Sequence, residues 1–279
     1  MKDETAKNEE TTMLSPDAIA AAARRLDEAE RARRQIRMIS LDHPGMTLDD
    51  GYAIQREWMR LKVASGRVVK GHKIGLTSRA MQQAVGIDEP DFGVLLDDMF
   101  FQDGGTVPTD RFIGLRVEAE LAFVLNRPLE GEACTIFDVL NATDYVTPAI
   151  EILDTRIFRV DPETKATRKV LDTISDNAAN AGIVLGGRPF RPTDCDMRWI
   201  GAVCARNGAV EETGLAAGVL NNPANGIAWL VKRLARYGER LEAGEVVLSG
   251  SFIRPVEVGK GDTINADYGP FGTVSCYFG

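Results

Sequence analysis

Glu118 and Glu120 stand two residues apart in the segment RVEAELAFVL. Alternate side chains of a strand share a face, so both carboxylates point the same way, about 6.5–7 Å apart along the backbone. Val117, Ala119, Leu121 and Phe123 take the other side. A second strand-like segment, PAIEILD, carries Glu151 among apolar neighbours, with Asp154 on the opposite face of a regular strand. Buried carboxylates are costly unless cations pair with them or a metal binds them. All-oxygen ligands favour hard cations, Mg2+ first, with Mn2+ or Ca2+ as alternatives. Three carboxylates would leave about three positions of an octahedral Mg2+ for water and substrate. A solvent-exposed sheet face with Arg116 beside the pair explains the spacing just as simply, and the residue pattern leaves both readings open.

Other segments could add chemistry. In VKGHKIGLTSRAMQQ, Lys73 sits between His72 and Ile74. It is either a surface lysine or a proton-transfer group whose pKa burial or a metal depresses. IDEPDFGVLLDDMFF holds Asp88, Glu89, Asp91, Asp97 and Asp98, several of which must serve turns and caps. The run Ser249-Gly250-Ser251 ends a strand with two hydroxyls and a backbone that lets a ligand approach closely. His43 and His72, the two histidines, form no zinc constellation. Neither a phosphate loop, a dinucleotide fingerprint nor a nucleophile elbow is present.

The elements that must position these residues divide the chain. Residues 1–13 are polar and read as a disordered or frayed tail. A helix follows from Ser15 as cap and Pro16 as first residue, with apolar spacing that continues to Ile39. A second helix starts at a Thr47/Asp50 capping box, stops near Gly66 and buries Trp58. A third, short helix follows Ser78. From about residue 92, short β-prone segments alternate with Gly, Pro and Asp turns. One helix interrupts them, capped by Asn222 and ended by Gly238, with Gly226 as an internal weakness. The expectation is an α+β fold: a helical section over 14–75 and a β-rich catalytic domain over 76–279.

The net charge of −8 argues against a nucleic-acid partner, which needs a basic surface. No apolar run approaches the ~20 residues of a bilayer span, and the N-terminus lacks a signal-peptide pattern. Cys134, Cys195, Cys204 and Cys276 show no close metal spacing and fit scattered thiols in a reducing cytoplasm.

Several long motifs, in order, add a resemblance. GHKIGLTSRAMQ, IDEPDFGVLLDDMFF, RVEAELAFVL, FDVLNATDYVTPAIEILD, DTISDNAANAG and LAAGVLNNPANGIAWL together resemble the 2-oxohept-4-ene-1,7-dioate hydratases. These belong to the hydratase/decarboxylase group of the fumarylacetoacetate hydrolase superfamily, and the likeness runs from about Ser15 to the C-terminus. It implies a mixed β-roll with packed helices, assembled as a homo-oligomer (pentamer or decamer). It implies Mg2+, or Mn2+, held by Glu118, Glu120 and Glu151. Lys73 and Asp91 match the catalytic pair, and Lys73, Leu76 and Ser251 the substrate contacts. The implied substrate is a 2-oxo unsaturated dicarboxylate, hydrated during aromatic catabolism in the cytoplasm. A 2-hydroxypentadienoate-type hydratase, a 4-oxalocrotonate-type decarboxylase and a non-catalytic structural partner are the rival readings. Arg79, Arg156, Arg168 and Lys169 are the candidates for a distal carboxylate.

Overall fold

The computed structural model describes residues 14–279, so the expected N-terminal tail lies outside the described residues. Helix α1 (Pro16–Ala32) starts as its sequence dictates: the Ser15 hydroxyl accepts from the Ala18 amide and Pro16 fills the first turn. It ends seven residues before the apolar spacing does, because Arg33 turns left-handed at φ 51°. The chain then pairs with a distant segment: the Ile36 amide donates to the Arg156 carbonyl at 2.8 Å and the Ile36 carbonyl accepts from Phe158 at 3.0 Å. Tertiary pairing overrides helical periodicity there, and only the short α2 (Ile39–Asp42) follows. Helix α3 (Leu48–Ala64) has the expected Thr47/Asp50 capping box. It packs on α1 through a layer that includes Leu26, Ile54 and Trp58, all essentially without exposure.

Two sheets complete the core. The larger contains β1 (Val69–Gly75), β2 (Asp91–Leu96), β3 (Phe100–Gln102), β5 (Arg116–Leu125), β6 (Thr143–Leu153), β7 (Asn180–Leu185), β10 (Val246–Leu248) and β11 (Val256–Glu257). Its order is β2-β1-β10-β5-β6-β7-β3, with β11 added to β5. The smaller contains β4 (Thr106–Val107), β8 (Gly201–Arg206), β9 (Ala209–Leu215), β12 (Thr263–Asp267) and β13 (Thr273–Phe278). Parallel pairs β1/β10, β3/β7 and β4/β13 among antiparallel ladders make the fold mixed, as expected of the family roll. Strand β1 falls inside the stretch read as helical from sequence, because seven residues of VKGHKIG carry no clear period.

The larger sheet is covered on both faces. Val117, Ala119, Leu121 and Phe123 of β5 enter one core with residues of the smaller sheet, while Ala122 and Leu248 enter a second core under α1 and α3. Among the helices that follow, α4 (Arg79–Val85) is capped by Ser78, and α5 (Ile136–Ala142) and α6 (Val170–Ser175) are short. Helix α7 (Pro223–Ala235) has Asn222 as its cap. Gly226 lies inside α7 for a reason the sequence does not disclose. A Cβ there would stand 2.9 Å from the Ser249 carbonyl oxygen, so the bare glycine lets α7 rest on the end of β10.

Behind the sheet, Arg156 is buried and ion-pairs with Asp176 at 2.5 Å, with further bonds to the Asp176 and Asn180 carbonyls. Arg156 is thus a fold pin and is not free to receive a substrate. Replacing it by Leu strands a buried carboxylate, and a chemical-denaturation midpoint should report a loss of about 3–5 kcal/mol.

Candidate metal centre and active site

Register brings the glutamates together. Strands β5 and β6 pair antiparallel with Glu118 directly opposite Glu151 and Glu120 opposite Ala149. Directly opposed like charges destabilise a ladder unless something between them compensates. Carboxylate oxygens of Glu118, Glu120 and Glu151 all lie within 4.8 Å of one another. Glu120 and Glu151 have no exposure, and Glu118 alone retains partial access. The exposed-face reading of the Glu-x-Glu pair is therefore excluded.

The cluster is pinned yet under-satisfied. Glu120 Oε2 accepts from the Gly250 amide at 2.8 Å. The Tyr268 hydroxyl donates to the Ala149 carbonyl at 2.5 Å and accepts from the Glu120 amide at 3.0 Å, locking β5 against β6 at the site. Yet Glu120 Oε1 and both carboxylate oxygens of Glu151 are buried without a well-formed hydrogen bond. Burial and the neighbouring Glu151 push the Glu118 carboxyl up to about 8. Burial likewise raises Glu120 far above, and Glu151 above, the ordinary carboxylate range. Orphaned oxygens, all from carboxylates, on two rigid strands fit a hard divalent cation.

Lys73 enters from β1, its Nζ 3.3 Å from Glu151 Oε1. Burial disfavours its charge, but Glu151, Asp91, Glu118 and Glu120 outweigh that and hold the ammonium above its ordinary range. Of the two readings left open, the surface lysine is excluded by burial, and in the metal-free site four carboxylates hold the buried ammonium up rather than down. Asp91 starts β2 opposite Gly75 and is fully buried, with Oδ1 unpartnered. Burial raises its carboxyl against the opposing charges of Lys73 and Arg168. A Cβ on Gly75 would overlap Asp91 Oδ1 and stand 3.1 Å from Lys73 Nζ, so this glycine keeps the space between them open.

A cavity of about 350 Å³ reaches Glu118 and is lined by Leu76, Thr77, Met81, Ser251 and Arg254. Leu76 holds the left-handed φ of 54°. Gly250 takes φ 114° and abuts the Thr77 side chain. The Ser251 hydroxyl donates to the Ile253 carbonyl at 2.9 Å, while buried Ser249 Oγ has no partner. Lys73, Leu76, Asp91, Glu118, Glu120, Glu151 and Ser251 therefore converge on the site or on its cavity, whereas Arg79, Arg156 and Lys169 do not. Of the acidic run after α4, only Asp91 does so: Asp97 accepts from the Val68 amide and Glu89 pairs with Arg233. Arg79 faces a different cavity, beside Gln83 and Asn221, and Lys169 stands at the N-cap position of α6. Sequence reasoning missed Gly75, Tyr268 and Asn177. Asn177, at φ 52°, exchanges hydrogen bonds with the Val94 backbone and so anchors β2, on which Asp91 stands.

The family model described as fumarylacetoacetate hydrolase C-terminal matches residues 63–278. The chain belongs to this family. A 2-oxo-hept-4-ene-1,7-dioate hydratase of Escherichia coli is 63% identical over 256 residues, 92% of this chain and 96% of that protein. A 2-keto-4-pentenoate hydratase of Paraburkholderia xenovorans is 39% identical over 95% of this chain and 96% of its own length. Among solved structures, the 4-oxalocrotonate decarboxylase of Pseudomonas putida G7 in complex with magnesium and adipate superimposes with a TM-score of 0.90. It is 34% identical and covers 95% of this chain and 99% of that one.

The orphaned oxygens make two measurable differences. Mg2+ at about 100 times its dissociation constant should stabilise the protein by ~2.7 kcal/mol in a thermal or denaturant titration. Glu120→Gln keeps an acceptor for the Gly250 amide but cannot ionise to meet a cation. Without metal it should melt no lower than the wild type, and Mg2+ should no longer raise its melting temperature.

Proposed function

We propose that this protein is a metal-dependent hydratase that converts 2-oxohept-4-ene-1,7-dioate, through its 2-hydroxydienoate tautomer, to a 4-hydroxy-2-oxoheptanedioate. The observation that carries this reading is the 63% identity to a hydratase of that name along 92% of the chain. Two related hydratase and decarboxylase activities fall at lower identity, 39% and 37%. Magnesium, reported with the similar decarboxylase, is the proposed ion, and Glu118, Glu120 and Glu151 its proposed ligands. Bound there, it would supply Lewis acidity toward the substrate's 2-oxo group.

The chain's own residues do the rest. Leu76 and Ser251, in the cavity wall beside Glu118, receive the C1 carboxylate end. Lys73 keeps a proton in a buried position 3.3 Å from Glu151 and gives it to C5 of the 2-hydroxydienoate, whose 2-hydroxyl proton returns to the lysine, so that the remaining double bond is conjugated with the 2-oxo group. Asp91, with one oxygen unpartnered, orients the water whose oxygen adds at C4. The water's remaining proton ends at C3, so the atoms of one water are added and none is lost. The apolar layers on both faces of the sheet exclude other water from the carboxylates. Placement in the cytoplasm and assembly into a homo-oligomer belong to the same proposal and rest on the family resemblance. Among the described residues no helix is long and apolar enough to cross a membrane.

Incubation with the dienol or enone diacid and Mg2+ tests the reading. Loss of dienone absorbance without carbon dioxide is expected, and release of one carbon dioxide per turnover would make the enzyme a decarboxylase instead. Lys73→Met and Asp91→Asn should each lower kcat by about 100-fold or more while Mg2+ binding, read by calorimetry, persists.

A further inference from the structure

Three arginines gather near the start of β5, and none of them lines the Leu76–Ser251 cavity. Arg116 begins β5 two residues before Glu118, on the same face, hence about 6.6–6.8 Å along the strand. That step is comparable to the reach of a seven-carbon chain whose first carboxylate is held at the metal centre. Arg159 and Arg168 flank a short hairpin beyond β6, closed by the Val160/Thr167 bridge and a 2.9 Å bond from the Arg168 amide to the Arg159 carbonyl.

The group makes few direct carboxylate contacts, although the charges of Asp154 and Asp176 act on Arg159 and Arg168 from nearby. Glu257 Oε1 lies 2.6 Å from Arg116 Nη2 and 4.0 Å from Arg159 Nη1, and the Glu257 side chain is 73% exposed. Arg116 Nε is buried without a partner. Arg168 donates to the Thr155 hydroxyl and ion-pairs with no carboxylate among the described residues. Asp154, close by in sequence, has both oxygens occupied by the Ile113 and Gly114 amides. Burial and the charges of Arg116 and Arg168 bring Arg159 down to about 10, the mark of a cation among cations. Arg168 also acts electrostatically on Asp91, which ties the hairpin to the reacting end of the site. Guanidinium groups in such surplus are suited to a carboxylate, which they grip bidentately. Arg254 is the competing cation, but it is 81% exposed, held by Glu212 at 2.6 Å, and lines the same cavity as Leu76 and Ser251, the residues assigned to C1.

We propose that Arg116, Arg159 and Arg168 form the subsite for the substrate's distal carboxylate, with Glu257 occupying their charge until the diacid displaces it. The proposal rests on the dicarboxylate reading above and names the groups that set chain selectivity. The test compares kcat/KM for the C7 diacid and for 2-hydroxypenta-2,4-dienoate, which lacks the second carboxylate. Loss of one charged hydrogen-bond partner should lower the diacid-to-monoacid ratio about tenfold or more in Arg159→Met and Arg168→Met, chiefly through the diacid KM. Glu257→Gln, which frees two guanidiniums, should shift the ratio the other way, an effect that a merely structural role would not produce. Wild-type selectivity in all three variants would overturn the subsite, as would selectivity lost in Arg254→Met alone. A wild type that hydrates the monoacid but not the diacid would instead overturn the dicarboxylate reading. Should Arg168→Met fail to fold, Arg159→Met and Glu257→Gln, both at partly exposed positions, decide the matter.

Discussion

Everything in this fold answers to one electrostatic problem: Glu118 and Glu151 face each other across an antiparallel ladder, with Glu120 beside them. Such a juxtaposition in a solvated sheet would push the strands apart or protonate a carboxylate. Here neither strand can yield. Tyr268 bonds to both of them at once, and the apolar layers on either face fix their positions. The carboxyls respond instead by holding protons more tightly, and they ionise fully only when positive charge arrives at that point. Lys73 supplies part of that charge from β1, and its place in the sheet is set by the β1/β10 parallel pair two strands from β6.

Glycines make this convergence sterically possible. Gly75 leaves room between Lys73 and Asp91, and Gly250 turns the backbone so that its amide reaches Glu120 beside the Thr77 side chain. Gly226 performs the same service from outside by admitting α7 against the Ser249 carbonyl. Each position faces a different neighbour, yet each lets an element approach the site more closely than a Cβ would allow. A local cost in helix propensity at Gly226 is accepted for a tertiary contact.

The sequence made some of this legible and hid the rest for physical reasons. Caps are local chemistry, so Ser15, Thr47, Ser78 and Asn222 were readable as helix starts, and the structure places each there. Two-residue periodicity placed Glu118 and Glu120 on one face, and family resemblance supplied the link to Glu151, Lys73 and Asp91. Burial of that face could not be read, because β5 is apolar on one side and only Ala122 and Val124 mark the cover on the other. The early end of α1 was equally hidden, since the competing partner of Ile36 lies some 120 residues away, at Ile157. DTISDNAANAG read as a family signature, but its mechanical function, the Asn177 clamp on Val94, depends on a left-handed turn that no composition reveals.

Charge balance links the two halves of the site. Glu118, Glu120, Glu151 and Asp91 carry four negative charges when ionised, against Lys73 and a divalent cation, so the reacting centre itself offers little net attraction to an anion. A dianionic substrate needs its attraction supplied from elsewhere, within reach of its chain but outside the ligand shell. Arg116 satisfies both conditions because strand geometry sets it one same-face step from Glu118, and the 159–168 hairpin brings two more guanidiniums to it. Glu257, the one carboxylate among the described residues that ion-pairs with Arg116 and Arg159, is mostly exposed and so is already solvated, which keeps the cost of exchanging it for a substrate carboxylate small. The same β5 strand would then hold the metal with its interior residues and set substrate length with its first one, so that reaction and selectivity share one rigid ruler.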